Sequence, residues 1–178
     1  MTLDFYQKLC SITNETIFQF MKSRDNCVLA SAALDETLTI LKIPHRAARL
    51  CLAAHHEDRN TTGVVIGSEE PWPRQKTEPG KWAGHLGIIA EDRFLLDPTP
   101  DQLNEGRPGL QAAPAACEVP DTFLDGKCLF LPAGNGWTIR YHLAWRQKGW
   151  LSAPDWKRKG DRKLFSKSIL RKLNGHSH

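Results

Sequence analysis

The stretch Gly84-His85-Leu86-Gly87-Ile88-Ile89-Ala90-Glu91-Asp92-Arg93-Phe94-Leu95-Leu96-Asp97-Pro98-Thr99 decides how this chain folds. Two short apolar runs flank three charged residues, and Pro98 and Pro100 end the second run because proline cannot stay in a ladder. This pattern predicts a β hairpin, with strands over 85–90 and 93–97. Side chains alternate along a strand, so the length of the turn decides which residues share a face. With a two-residue turn, Ala90 pairs with Arg93, and Asp97 points away from His85. With the three-residue turn Glu91-Asp92-Arg93, Ala90 pairs with Phe94 and Gly87 with Asp97. His85 and Asp97 then lie diagonally on one face, within side-chain reach. The odd-numbered turn, or a bulge of the same effect, is expected.

Upstream, residues 3–22 recur apolar at loose helical spacing, with a break expected near Ser11-Ile12-Thr13-Asn14. Residues 27–41 give the strongest helical pattern, with Cys27, Ser31, Leu34, Leu38 and Leu41 on one stripe and Pro44 beyond it. A helix that starts at Asn26 puts Cys27 in its first turn. Free N–H groups and the positive end of the dipole favour a thiolate there. A small buried cysteine would also fit the position.

Residues 46–54 read as a strand, with Leu50, Leu52 and Ala54 on one face and Arg49 and Cys51 on the other. Residues 62–67 read as a second strand, and His55 to Asn60 as a polar turn between the two. Adjacent His55 and His56 rarely point at one ion, so no metal site is expected. Residues 68–83 form a loop with three prolines and two tryptophans. Trp72 and Trp82 either wall a groove or pin the loop to the body. Residues 103–122 look irregular. Strands follow over 128–131 and 137–143, then an aromatic and basic connection over 145–160 and a last helix over 161–172.

The expected fold is α+β: N-terminal helices packed on an antiparallel sheet of about five strands. Its 178 residues suggest a single domain over 1–156, with a basic helix and tail over 157–178 packed on it or extending from it. The composition, 40% hydrophobic and 25% charged, is that of a globular chain. No apolar run nears the roughly 20 residues a bilayer span needs. The five cysteines are an odd number without close pairs, which argues against a disulfide framework and points to a reducing, cytoplasmic setting.

The net charge of +4 is concentrated at the end: residues 157–172 carry eight basic side chains against one acid. Lys157, Arg158, Lys159, Arg162 and Lys163 form a basic surface. With Trp145, Trp150 and Trp156 nearby, nucleic acid is a second partner class to weigh.

A cysteine nucleophile needs a base within hydrogen-bond reach and a third group to hold that base. Cys27 at a helix start, Gly84-His85 opening a strand and Asp97-Pro98-Thr99 closing the next resemble the transglutaminase-like branch of the papain-like cysteine enzymes. The resemblance covers roughly residues 20–102. It implies Cys27 as nucleophile, His85 as general base and then acid, and Asp97 as the residue orienting His85. It also implies acyl transfer from a protein, peptide or small amide to water or an amine, with no cofactor. The papain group's upstream glutamine has no counterpart at its usual spacing, since Gln19 lies eight positions before Cys27. An oxyanion would then rest on the Cys27 N–H with help from Asn26 or from Trp82 to Gly84. Gln102, just past Asp97, either shapes the entrance or belongs to a turn. The alternative is the same scaffold without catalysis, binding a protein or nucleic acid.

Overall fold

A computed structural model describes residues 1–21, 26–58, 60–61, 63–67, 84–144 and 149–175. The helices are α1 (Leu3–Met21), α2 (Cys27–Ile40), α3 (Asp121–Leu124), α4 (Pro154–Lys157) and α5 (Lys159–Gly175). The strands are β1 (His45–His56), β2 (Val64–Ile66), β3 (His85–Ala90), β4 (Phe94–Asp97), β5 (Ala115–Glu118), β6 (Leu129–Pro132) and β7 (Trp137–Leu143). Seven strands form one antiparallel sheet in the order β5-β4-β3-β1-β7-β6, with β2 paired to β1.

The β3–β4 hairpin takes the three-residue turn. Ala90 pairs with Phe94, and the Arg93 N–H donates to the Ala90 carbonyl at 3.0 Å. Glu91 and Asp92 adopt φ of 53° and 50°, the left-handed conformation such a reversal needs. Ile88 pairs with Leu96 and Ile89 with Leu95. Alternate residues therefore look to opposite faces, and both faces are covered. Ile88, Ala90, Phe94 and Leu96 join the core under α1, α2 and α5. Ile89 and Leu95 join a second core with Leu50, Leu52, Trp137, Ile139, Tyr141 and Leu143 on the concave face of the curled sheet. Burial on both sides explains why His85–Ala90 reads as a continuous apolar run.

Several boundaries differ from the sequence reading. β1 runs through His56, so His55 and His56 end a strand that β7 supports, with His55 opposite Thr138 and His56 opposite Trp137. α1 is unbroken. Ser11 and Thr13 turn their hydroxyls back onto the Gln7 and Leu9 carbonyls at 3.1 and 2.8 Å, which leaves the helix intact. The segment expected to be irregular contains β5, which covers the free edge of β4, and the short α3. The sheet therefore has seven strands, more than the expected five.

The end of α2 is a Schellman closure made without glycine. Lys42 takes φ 57°, the Ile43 N–H reaches the Leu38 carbonyl at 3.0 Å, and the Lys42 N–H reaches that of Thr39 at 3.1 Å. α5 is the third helix of the layer: Phe165, Ile169 and Leu173 are buried in the helical core. Among the described residues no helix is long and apolar enough to cross a membrane.

Candidate active site

The register places His85 and Asp97 on the concave face, where they bond directly. His85 Nε2 lies 2.8 Å from both Asp97 carboxylate oxygens. Neither side chain meets solvent, at 0% and 1% exposure. A buried carboxylate needs donors on its lone pairs. Asp97 takes two, the His85 ring and the Thr99 backbone N–H at 3.1 Å, and the Tyr141 hydroxyl lies near it. Tyr141 sits on β7, separated from β4 in the sheet by β3 and β1. The curl of the sheet brings the two side chains together across the concave face.

Burial works against a charged imidazole. The Asp97 carboxylate overrides it by charge and hydrogen bond, and the His85 ring is pushed up to about 10. Cys27 contributes a smaller part of the rise. Cys27 is the first residue of α2, so its N–H is among those the helix leaves without an internal partner. Its thiol donates to the carbonyl of Gly84, the residue before His85, with Sγ 3.6 Å away. Ser31, one turn on, ties α2 to the same strand by donating to the Leu86 carbonyl at 2.7 Å. The helix start is thereby fastened to the start of β3.

Other predicted site residues fall differently. Asn26 is buried immediately before α2, and its carbonyl accepts the Ala30 N–H at 2.9 Å. Its side chain makes no capping bond. Gly84 presents its carbonyl to the thiol. A Cβ at Gly87 would lie 2.7 Å from Leu50 Cδ1 and 2.9 Å from the Leu96 carbonyl oxygen. The glycine allows close packing within the sheet. Trp72, Trp82 and the loop they belong to lie outside the described residues, as does Trp145. Gln102 sits on the 3-10 turn Pro100–Asn104 and bonds His85 Nδ1 through its side-chain amide. It therefore meets the His85 ring directly, a contact its spacing past Asp97 does not reveal.

The remaining cysteines have other surroundings. Burial, and then the Asp97 charge, raises the Cys10 thiol well above its usual range and pushes Cys117 up to about 12. Cys51 is buried and Cys128 exposed.

The basic segment is partly consumed inside the fold. Arg162 is 14% exposed, bonds Asp35 at 2.5 Å and lies 4.9 Å above the Trp156 ring. Arg158 lies 3.7 Å from Asp155, and Lys157 and Lys159 are exposed. Trp150 and Trp156 pack edge to face with centroids 4.4 Å apart.

At the other end of β1, a cleft of about 490 Å³ is lined by His55, His56, Glu57 and the turn before β7. Both His56 nitrogens are engaged there, with the Asn135 carbonyl and the Asp58 N–H, each at 3.0 Å. No group of three or more His, Cys, Asp or Glu among the described residues could hold a metal ion.

The site is thus a buried histidine–aspartate pair on a hairpin, with an amide from a turn against the ring and the Cys27 thiol on the carbonyl of the residue before the histidine. No protein-family model matches this chain, and no curated protein or solved structure matches it.

Proposed function

We propose that this protein is a cysteine-dependent acyl-transfer enzyme, with Cys27 as nucleophile, His85 as base and then acid, and Asp97 as the residue that orients His85. The observation that supports the reading is the His85 ring held through Nε2 by Asp97, with the Cys27 thiol contributing to its raised basicity. A more basic ring takes a thiol proton more readily. Cys27 would pass its proton to Nδ1 as sulfur bonds to the carbonyl carbon of an amide, thioester or ester. The tetrahedral oxyanion would lie near the α2 N-terminus, where the Cys27 N–H has no partner within the helix. Collapse would break the bond to the leaving group, which takes the proton from His85. Water or an amine would then attack the acyl-enzyme, give its proton to the ring and restore the thiol.

The full-length chain tests this with a thiol-selective electrophile at neutral pH and mass-spectrometric mapping of each cysteine. Cys128 is exposed whereas Cys27 is 8% exposed, so accessibility alone favours Cys128. Faster labelling at Cys27, lowered about 100-fold or more in His85→Ala, is the expected result. A Cys128 lead with Cys27 indifferent to His85→Ala would overturn the proposal. Trapping an acyl group on Cys27 from a library of peptides and small amides would then identify the substrate class.

A second reading draws on the burial of His85. A ring with 0% exposure suits a scaffold whose polar pair is structural, with protein binding as the function. Equal, slow labelling of Cys27 in parent and His85→Ala chains would favour it.

A further inference from the structure

We infer that Gln102 is a positioning residue for His85, its side-chain amide holding Nδ1 while Asp97 holds Nε2. This rests on the reading of His85 as the base of the site. The ring is fully buried, so each nitrogen needs a partner within the protein. Nε2 has Asp97 at 2.8 Å, and Nδ1 has the Gln102 amide. Both partners come from the single run 97–102, one at its start and one at its end.

That run is anchored on three sides. The Thr99 N–H bonds Asp97 at 3.1 Å. Asn14 of α1 donates to the Pro98 carbonyl at 2.8 Å and to Asp101 at 3.2 Å. Asn104 exchanges two bonds of 2.8 Å with the backbone of Ala112. Leu103, next to Gln102, is wholly buried in the concave core. A side chain on such a support keeps its position, which is what a clamp requires.

The choice of an amide has a chemical reason. A base that alternates between neutral and charged forms shows a lone pair at Nδ1 and then an N–H. An amide offers donors on one atom and an acceptor on the other, so a half-turn serves both forms. A carboxylate only accepts and an ammonium only donates. With Nε2 committed to Asp97, Nδ1 is also the nitrogen that would take the Cys27 proton, and its single lone pair requires the Gln102 amide to turn its oxygen to the ring as that proton arrives. Gln102 therefore keeps the ring in plane at the point where that proton arrives. The titratable groups around the ring are Asp97 on β4 and Cys27 on α2. Tyr141, Cys10 and Cys117 stand around Asp97.

The test is long-range 1H–15N NMR of the imidazole ring in the full chain carrying Cys27→Ser, so that thiol chemistry plays no part. Gln102→Met keeps the length and removes the hydrogen bond. It should move the His85 titration midpoint to lower pH, because the cation loses its acceptor. Gln102→Glu should move it upward by about one to three pH units. Gln102→Asn, too short to reach, serves if the Met variant fails to fold, and should shift as Met does. Coincident midpoints in variants with unchanged circular dichroism would overturn the inference. A Cys27 that proves unreactive leaves these shifts in place, so the two proposals fail separately.

Discussion

Replacing Gly87 by alanine tests how tightly the hairpin that carries the site is built. The new Cβ would stand 2.7 Å from Leu50 Cδ1 and 2.9 Å from the Leu96 carbonyl oxygen. Carbon atoms sit at about 3.5–4.0 Å, so roughly an ångström must be recovered. Leu50 is fully buried in the concave core and has little room to turn, and the Leu96 oxygen belongs to the partner strand. Overpacking of this kind costs about 1–3 kcal/mol. The lower entropy of the unfolded chain offsets about 0.4–1 kcal/mol, since Gly87 is not in the left-handed region. The net loss is about 1–2 kcal/mol, or a fall of about 2–8 °C in melting temperature for a chain of this length. Gly160 in α5 is the control: a Cβ there meets nothing within 4 Å, so the same substitution should stabilise slightly. Calorimetry and urea unfolding of both variants would measure the pair. A neutral or stabilising Gly87→Ala would refute the reasoning, because it would mean that the strands have the space these distances deny.

Two further outcomes follow from buried polar contacts. Asp35 bonds His45 Nε2 at 3.2 Å and Arg162 at 2.5 Å, joining α2, β1 and α5. The Asp35 hydrogen bond, against the effect of burial, raises the His45 ring. A raised histidine contributes stability that is complete below the unfolded value of about 6.5 and is lost as pH rises through the folded value. Asp35→Asn should therefore lower stability by about 1–3 kcal/mol at pH 6 and flatten its decline above that pH, as read from urea midpoints at each pH. Tyr141→Phe keeps the ring and removes the buried hydroxyl that lies near Asp97. It should cost about 1–3 kcal/mol in urea unfolding, and a neutral result would mean that the carboxylate does not need that hydroxyl.

What the sequence reveals about the site depends on how far apart the parts lie. Cys27 at a helix start is a local matter, settled by an alanine-rich helical stripe. The shared face of His85 and Asp97 needs only one hairpin register, and that register follows from the two apolar runs and the three charged residues between them. Gln102 needs more, because the 3-10 turn that aims it depends on Asn14 from α1 and on Ala112 beyond the turn. Tyr141 needs the most. Its face of β7 is visible in the alternation of Trp137, Ile139, Tyr141 and Leu143, but its meeting with Asp97 follows from sheet curl. β5 shows the same limit in the fold. Its four residues carry no alternating pattern, and it exists as a strand because β4 offers an open edge.

The burial of the pair also bears on why it is there. Taking an imidazole and a carboxylate out of water costs several kcal/mol per charge, and their attraction returns this only with good geometry and full donor satisfaction. The fold supplies both: two 2.8 Å contacts, the Thr99 N–H on Asp97, and the Gln102 amide on the far side of the ring. Apolar side chains of similar volume would fill the same positions of this leucine- and isoleucine-rich core at no loss of stability, and often with a gain. Net stability therefore does not explain a histidine at 85 or an aspartate at 97, which leaves conformational specificity and chemistry as the reasons. A raised, buried ring is found both at functional sites and in structural ion pairs, and the dependence of Cys27 labelling on His85 separates the two.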